Sequence, residues 1–257
     1  MQYATAVYWN RGSVAACNQD SLTLQQVLTG RGRVLMAAVC DGMGGLQQGE
    51  TASGYMTERL QEWFYGSLMR LIHKKKPYWI IRRSLDRIVY HVQEQMRQYA
   101  GRERLDLGTT MSVLVLWEDI YLIWHLGDSR IYRIRSKGRF NRGDNRKSGK
   151  HGIGKHGMPE PMTTDHVQGR NRLTKCVGSF GYFRPDYRMG ALKKGDAFLL
   201  CSDGFYHCVT NQELADILCP ARLLEERQME RRLTEIGTAC MKRGERDNLS
   251  AVYIKVE

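Results

Sequence analysis

Residues 34–45 read VLMAAVCDGMGG, and this stretch decides the fold class and the position of the site. The unbroken apolar run at 34–40 predicts a strand that is buried on both faces. Asp41 follows at the end of that run. Gly42 comes next, and because glycine has no side chain, its backbone can closely approach a ligand. The stretch therefore predicts a carboxylate and a carbonyl group presented together at the edge of a sheet.

Three further aspartate motifs border apolar runs elsewhere in the chain. They are Asn18-Gln19-Asp20, Ser202-Asp203-Gly204 and Arg246-Asp247-Asn248. A single Asp-Gly pair is commonly a turn, but four aspartates at strand edges are poorly explained in that way. Strands can bring such carboxylates to one place, and carboxylate and carbonyl oxygens are the ligands that Mg²⁺ and Mn²⁺ prefer. The sequence therefore predicts a site for these cations, with Asp41 as the natural bridge between two of them.

The size and composition of the chain predict one globular domain over residues 1–257. Of its 257 residues, 42% are hydrophobic and 26% are charged, which suffices for a sizeable core. The seven cysteines include no Cys-x-x-Cys pair, which indicates reduced thiols rather than disulfides or zinc ligands. The sequence shows neither a signal peptide nor an apolar stretch of the roughly 18 residues that a membrane helix needs. We therefore expect a soluble, cytoplasmic monomer without a membrane span.

Basic residues are concentrated in one glycine-rich segment of this chain, whose net charge is +12. Between residues 133 and 155 there are nine lysines and arginines and one acid, Asp144. Such a segment can attract an acidic or phosphorylated partner or a nucleic acid. The many glycines and few apolar residues favour instead a solvated loop at about 136–160. Only Phe140 could stack on bases there, so we expect no nucleic-acid partner.

The hydrophobic periodicity predicts an α+β fold. Apolar runs predict strands at 3–9, 34–40, 110–117, 120–126, 130–135, 187–192, 197–201 and 249–256. Helical spacing predicts helices after Gly49 and at 80–96, 211–219 and 221–243. Hairpin-linked strands with helices grouped together indicate a layered domain. We expect a central antiparallel β-sandwich with helix pairs on its outer faces.

Taken in order, these and further motifs resemble the metal-dependent protein phosphatases of the PP2C family in their compact bacterial form. The matching motifs cover nearly the whole chain and are Gly12 with Asn18-Gln19-Asp20-Ser21, Val39-Cys40-Asp41-Gly42-Met43-Gly44-Gly45, Gly108-Thr109-Thr110, Leu126-Gly127-Asp128-Ser129-Arg130-Ile131-Tyr132, Leu173-Thr174-Lys175-Cys176-Val177-Gly178, Gly195-Asp196, Cys201-Ser202-Asp203-Gly204 and Arg246-Asp247-Asn248-Leu249-Ser250. The resemblance implies a four-layer αββα fold. It also implies hydrolysis of phosphoserine and phosphothreonine on proteins, whose partners would be substrates of a serine/threonine kinase.

The resemblance also implies a metal centre of two Mg²⁺ or Mn²⁺ ions, with a third, weaker site. The residues that it assigns to this centre are Asp20, Asp41, Gly42, Asp128, Asp203 and Asp247. Asp41 is expected to bridge two ions, while Asp203 and Asp247 bind one of them, and these three aspartates are the expected catalytic residues. The Gly42 carbonyl is expected to bind the other ion. Asp20 would hold metal-bound waters, either by direct contact with them or through an intervening group.

Asp128 matches the acidic residue of the third site in bacterial relatives. Its assignment is less specific, because Gly-Asp-Ser between two strands is also an ordinary hairpin sequence.

Two positions depart from the family pattern where the substrate would bind. Ala15 stands where the family usually has an arginine that grips the substrate phosphate, so a charge-assisted contact is missing. Arg11 is no obvious substitute, since four extended residues separate it from Ala15 by about 13 Å. Met43 stands where eukaryotic members often have a histidine that is proposed as the general acid, although methionine is common there in bacterial members. The substrate-binding residues therefore stay open.

A third departure concerns the flap that bacterial relatives carry after an Asp-His-Ser motif. Here Asp165 and His166 are followed almost at once by residues 169–174, so we expect the flap to be largely deleted. The basic loop lies on the other side of Asp165. Our hypothesis is that this loop replaces the flap in contacting substrate; unchanged phosphopeptide turnover after deletion of residues 138–157 would refute it.

Three functions compete at this point. The favoured one is a protein serine/threonine phosphatase that uses a metal-activated water. The alternative is a PP2C-fold binding or regulatory module with weak or no catalysis, for which Ala15 is the main support. Against that alternative, the whole aspartate set is kept, and clustered carboxylates without a metal would repel one another. The third function, nucleic-acid binding, is supported by the positive charge of the chain alone.

Overall fold

Two large antiparallel β-sheets, one small two-stranded sheet and two groups of helices make up the described part of the fold. The protein is described here by a computed structural model that covers residues 1–44, 48–75, 77–135, 157–169, 172–178, 184–223 and 225–257. The longer strands are β1 (Tyr3–Asn10), β2 (Asp20–Thr29), β3 (Gly32–Gly44), β5 (Met111–Trp117), β6 (Ile120–Leu126), β7 (Arg130–Arg135), β11 (Asp186–Ala191), β12 (Asp196–Cys201) and β13 (Leu249–Val256). The short strands are β4 (Leu107–Thr109), β8 (Glu160–Pro161), β9 (Val167–Gln168) and β10 (Arg172–Leu173).

The helices fall into two groups along the chain. The first group is α1 (Gly49–Trp63), which continues through a π-helical segment (Phe64–Leu68) into α2 (Met69–Leu71), and then α3 (Tyr78–Glu103). Pro77 directly precedes α3, where its missing N–H and fixed φ suit the start of a helix. The second group is α4 (Asp203–Tyr206), α5 (Asn211–Ile217) and α6 (Glu226–Lys242).

The two large sheets pack face to face. One has the strand order β1-β13-β12-β7-β8, and the other has the order β11-β6-β5-β3-β2, with β4 paired to β3 beyond that path. Side chains of both sheets, among them Val39, Phe198 and Ile254, form one buried cluster between them. The predicted antiparallel β-sandwich is confirmed.

Strand β3 shows why its sequence is apolar at every position from 34 to 40. Leu35, Ala37 and Val39 belong to the cluster between the sheets. The alternate residues Met36 and Ala38 belong to a second cluster that includes side chains of α1 and α3. Successive side chains of a strand point to opposite faces, so a strand covered on both sides must be apolar throughout.

Helices cover both outer faces of the sandwich, which gives the four layers αββα. The helices α1 and α3 pack on the sheet that contains β3. On the other sheet lies α6, whose Met229, Leu233 and Ile236 recur at helical spacing and are fully buried. The helices α1, α3 and α6 thus each bury one apolar stripe against a sheet.

Three sequence-based predictions of elements need correction. Strand β2 was not predicted, because only Leu22 and Leu24 of its residues pack against the cluster between the sheets. Strand β3 does not end before Asp41 but continues to Gly44, where it pairs with β4. The last helix begins at Glu226 rather than at 221, because the preceding residue, Glu225, forms a capping box with Gln228.

The basic loop predicted at about 136–160 falls largely outside the described residues, so its expected role remains a prediction. In the part of the chain that the structure covers, none of the helices combines the length and the apolar character needed to cross a bilayer.

Candidate metal centre

The predicted aspartates meet at one end of the sandwich, where β2 begins and β3 continues into its pairing with β4. Asp20 and Asp41 are direct partners in the antiparallel pair of β2 and β3. The backbone of Asp41 is fixed on its other side: its N–H donates to Thr110 Oγ1 at 2.8 Å, and its carbonyl accepts from Thr110 N at 2.8 Å and from Thr109 Oγ1 at 3.0 Å. The position of the Asp41 carboxylate is therefore set by main-chain hydrogen bonds rather than by a flexible loop.

Gly42 lies where two backbone segments approach each other closely. A Cβ atom at this position would lie 2.1 Å from the carbonyl oxygen of Gly49 and 2.6 Å from that of Gln19. The Gly42 N–H donates to the Gln19 carbonyl at 3.1 Å. Any side chain here would force the start of α1 away from β3, which explains the glycine on packing grounds alone.

Asp203 is the first residue of α4, two residues after strand β12 ends at Cys201. Ser202 links it to Asp20: the Ser202 hydroxyl donates to Asp20 Oδ2 at 2.8 Å and accepts from the backbone N–H of Ser250 at 3.0 Å. In contrast, Asp203 Oδ1 is buried and has no hydrogen-bond partner among the described residues. A buried carboxylate oxygen without a donor is costly unless a cation or water occupies the space beside it.

Asn248 ties the N-terminal loop to the start of β13. Its side-chain amide donates to the carbonyl oxygens of Arg11 at 2.8 Å and Cys17 at 3.2 Å, and its Oδ1 accepts from Gln19 N at 2.7 Å. The neighbouring Asp247 accepts the Asn248 N–H at 2.7 Å. Two segments more than 200 residues apart are thus joined beside the carboxylates.

Burial and the mutual repulsion of its carboxylates dominate the electrostatics of this cluster. Burial, and then the charges of Asp20, Asp203 and Asp247, raise the pKa of Asp41 well above its usual range. Burial is also the main cause for Asp20, whose pKa is raised to about 7, and for Asp128, whose pKa is raised to about 6. The pKa of Asp203 is raised by burial and by Asp247. A divalent cation would relieve this repulsion, since opposite charge favours the ionised carboxylates.

A cleft of about 530 Å³ opens above the carboxylates. It is lined by Asp41, Gly42, Asp128, Asp203 and Asp247 among others, whereas Asp20 lies buried beneath it with 2% of its surface exposed. No three acidic, histidine or cysteine side chains in the described ranges already converge as a complete ligand set. Mg²⁺ is usually held by only one or two carboxylates and keeps several waters, so the donor set still fits such an ion.

Two further residues line the cleft, and no role had been predicted for either of them from the sequence. Arg130 forms a bidentate pair with Asp165, with Nε–Oδ1 at 3.0 Å and Nη2–Oδ2 at 2.7 Å, and its guanidinium lies 3.8 Å from the ring centre of Tyr206. His207 Nδ1 lies 3.9 Å from Asp203 Oδ2 and 4.0 Å from Glu245 Oε2. The spacing of four residues between Asp203 and His207 was a usable signal; the pairing of Arg130 with Asp165 was not visible locally.

The comparison with protein families decides which fold family this is. A family model described as protein phosphatase 2C matches residues 12–237. This chain belongs to the protein phosphatase 2C family. The predicted resemblance is confirmed, and the aspartate motifs at Asp20, Asp41 and Asp203 lie inside the matched range.

Relatives of this protein phosphatase 2C member include named bacterial phosphatases. Protein phosphatase PhpP of Streptococcus pneumoniae is 26% identical over 201 residues, which is 78% of each chain. Serine/threonine phosphatase stp of Listeria innocua is 25% identical over 221 residues, which is 85% of this chain and 84% of the relative. The solved catalytic domain of the phosphatase PstP, in complex with two manganese ions, aligns with a TM-score of 0.73 at 23% identity over 99% of this chain and 98% of that one.

Ala15, which stands where the resemblance predicts a phosphate-binding arginine, adds no cationic group to the lining of the cleft that the structure describes. Ala15 is half-buried in the loop between β1 and β2. Arg11 does not replace the missing arginine, because its guanidinium donates to the Ala16 carbonyl at 3.3 Å. Arg130 is the arginine that lines the cleft in the described residues, and Asp165 already holds it.

Proposed function

We propose that this protein is a serine/threonine phosphoprotein phosphatase whose cleft carboxylates hold Mg²⁺ or Mn²⁺. The observation that carries the proposal is the convergence of aspartates from separate segments on one cleft, with raised pKa values and an unpartnered buried oxygen on Asp203. Perturbed acidic groups gathered in a cleft are typical of functional sites. The names of the bacterial relatives support the same reaction.

The residues that would hold the ions are Asp41, the Gly42 carbonyl, Asp203 and Asp247, with Asp128 at a third site. Bound Mg²⁺ or Mn²⁺ supplies Lewis-acid chemistry, since it polarises phosphoryl oxygens and acidifies water. The relative PstP, whose catalytic domain was solved in complex with two manganese ions, supports this choice of cation. The chain's own task is to fix the carboxylates in place before substrate arrives.

Each carboxylate has its own positioning contacts. Thr110 holds the backbone of Asp41 from the neighbouring strand, and Ser202 holds Asp20 through its hydroxyl. Asn248 anchors the N-terminal loop that leads into Asp20. Such rigid supports matter because positioning and electrostatic stabilisation supply most of the catalysis in phosphoryl transfer.

The substrates in this proposal are phosphoserine and phosphothreonine on proteins, placed there by a serine/threonine kinase. Met43 lines the cleft but cannot donate a proton to the leaving group. In this proposal a water molecule protonates the departing serine or threonine oxygen.

One observation favours a second candidate, a PP2C-fold binding or regulatory module with weak catalysis. Ala15 removes a cation from the cleft, and the described residues supply no free arginine in its place. Such a module would bind phosphopeptides or a partner protein without appreciable turnover. The raised pKa values argue against it, because a cluster kept without a cation is destabilising.

A metal-dependence assay separates these candidates. Phosphate release from a phosphothreonine peptide is measured with Mn²⁺, with Mg²⁺, and after both are removed by a chelator. The phosphatase requires release that disappears on chelation and returns with added metal. Release that is absent under all conditions, or indifferent to chelation, contradicts it; phosphopeptide binding without release supports the binding module.

A further inference from the structure

A basic groove lies between the chain around α2 and the first turns of α3. It encloses about 540 Å³, and Arg70, Lys74, Arg83 and Arg87 line it together with Trp79. Arg83 and Arg87 are four residues apart on α3 and share one face of that helix, while on the opposite wall Arg70 lies in α2 and Lys74 in the turn that follows it. The four cations thus face one concave surface from two sides.

The groove lies far from the metal centre. Arg31, which directly precedes β3, donates to the carbonyl oxygens of Ile72 at 2.6 Å and Lys74 at 3.3 Å, so this wall sits at the Gly32 end of the strand. Asp41 is ten residues further along the chain than Arg31, and the rise per strand residue places it about 30 Å from Arg31. A ligand in the groove cannot touch the cleft directly.

The positive charge of the groove is not compensated within the described structure. None of its four cations forms an ion pair with an acidic side chain of the described ranges; Arg70 donates only to the Gly66 carbonyl, at 2.8 Å. The acidic residue of the same part of α3, Asp86, instead faces Arg184. Four unpaired cations around a concavity attract a partner with several negative charges.

The groove also offers an apolar contact, which separates it from an ordinary charged surface. The indole of Trp79 is 61% exposed at its rim, and Leu71 and Ile80 contribute half-buried apolar surface to the lining. Exposed tryptophan beside arginine is typical of the residues that dominate binding energy at protein interfaces. A bilayer surface is too flat to reach into such a concavity, whereas a peptide segment can.

We propose that this groove docks an acidic peptide segment of the phosphoprotein substrate, remote from the phosphorylated residue. The proposal rests on the proposed phosphatase function for the identity of the partner. A docked segment raises the effective concentration of the phosphorylated residue at the cleft when the connecting chain can span the distance. It would supply substrate affinity that the cleft itself lacks at Ala15.

The binding test uses a fluorescent glutamate-rich peptide with one leucine, followed by anisotropy at low and high salt. Reversing two groove charges in Arg83→Glu/Arg87→Glu should weaken binding roughly tenfold or more, while Trp79→Ala weakens it without a change of charge. The control is Arg102→Glu/Arg231→Glu, which alters net charge equally at exposed positions outside the groove. Binding that is unaffected by the groove variants, or weakened equally by the control, overturns the proposal.

The kinetic test joins the same segment to a phosphothreonine peptide through a flexible linker. The segment should lower KM for the wild-type protein and the control but not for Arg83→Glu/Arg87→Glu, with kcat unchanged. Absence of turnover in every protein would contradict the phosphatase function and leave the anisotropy result to decide on the groove. Groove-dependent binding to vesicles containing anionic lipid, without binding to the peptide, would overturn the proposal in favour of a membrane surface.

Discussion

Asp20 and Asp41 lie directly opposite each other across the antiparallel strands β2 and β3. Two like charges in this arrangement are destabilising, and both aspartates are held there by neighbours rather than turned away. The fold therefore maintains an unfavourable pair next to Asp203, whose Oδ1 accepts no hydrogen bond from any residue that the structure describes. A cation that binds between the carboxylates is the simplest physical reason for keeping it.

Without metal, the stability of the protein should fall as the pH rises. Asp20 has a folded pKa of about 7, so it binds its proton more tightly in the folded than in the unfolded state. Its contribution to stability is complete below about pH 4, the unfolded pKa, and is lost as the pH rises through the folded value. Urea unfolding in chelator at several pH values measures this effect.

The variant Asp20→Asn should flatten that pH dependence and raise the free energy of unfolding at pH 8 in chelator. The asparagine oxygen can still accept the Ser202 hydroxyl, so the packing is kept. Asp119→Asn, at an exposed turn, is the matched control. Equal pH dependence in the wild type and in Asp20→Asn would show that burial and the neighbouring carboxylates do not raise the pKa of Asp20.

Replacement of Asn248 should uncouple the N-terminal loop from the sheet. Asn248→Ala leaves the Gln19 N–H and the carbonyls of Arg11 and Cys17 without their partner, which should cost about 2–3 kcal/mol of unfolding free energy. Asn248→Asp keeps the acceptor for Gln19 but sets a carboxylate oxygen against the carbonyl oxygens of Arg11 and Cys17, so its loss of unfolding free energy should be at least as large. Chemical denaturation measures both; a loss below 0.5 kcal/mol for the alanine variant, on the order of an ordinary surface change, would contradict this role.

The contribution of Arg130 to activity should depend on the planar shape of its guanidinium and not only on its positive charge. Arg130→Lys keeps the charge but loses the bidentate pair with Asp165 and the contact with Tyr206. We expect kcat/KM for a phosphothreonine peptide to fall roughly tenfold, in line with the loss of a supporting contact. An active lysine variant with unchanged kcat/KM would mean that charge alone suffices.

Restoring an arginine at the N-terminal loop should strengthen substrate binding. Ala15→Arg adds a charge-assisted donor near the cleft and should lower KM roughly tenfold, from the usual strength of such bonds. Ala16→Arg adds the same charge one residue away and is the control. An unchanged KM in Ala15→Arg would mean that another group already binds the phosphate. An equal fall of KM in both variants would mean that the added charge acts only at long range.

The fold was predictable from the sequence where burial is complete and local. Strand β3 is apolar at 34–40 because sheets and helices cover both faces, so its pattern was unambiguous. Strand β2 was missed because it lies at the edge of its sheet and its polar residues, such as Gln25 and Gln26, dilute the apolar signal. The late start of α6 depends on one capping box, which periodicity does not register.

The candidate site, like the fold, was predictable from the sequence only in part. The aspartates were identifiable because each lies in a short motif beside a strand. The contacts that position them are long-range: Ser202 reaches Asp20 across 182 residues, and Asn248 reaches Arg11 across 237. Such pairings depend on how the two sheets stack, and no local pattern encodes them.

The central claim is that the Asp41 cluster is the metal-dependent catalytic site of a phosphatase. Its most direct test is Mn²⁺-dependent phosphate release from a phosphothreonine peptide by the wild type, Asp41→Asn and the control Asp119→Asn. We predict that Asp41→Asn loses roughly a hundredfold or more in kcat while Asp119→Asn stays at the wild-type level. Equal activity of Asp41→Asn and the wild type, or no activity in any of the three, would contradict the claim.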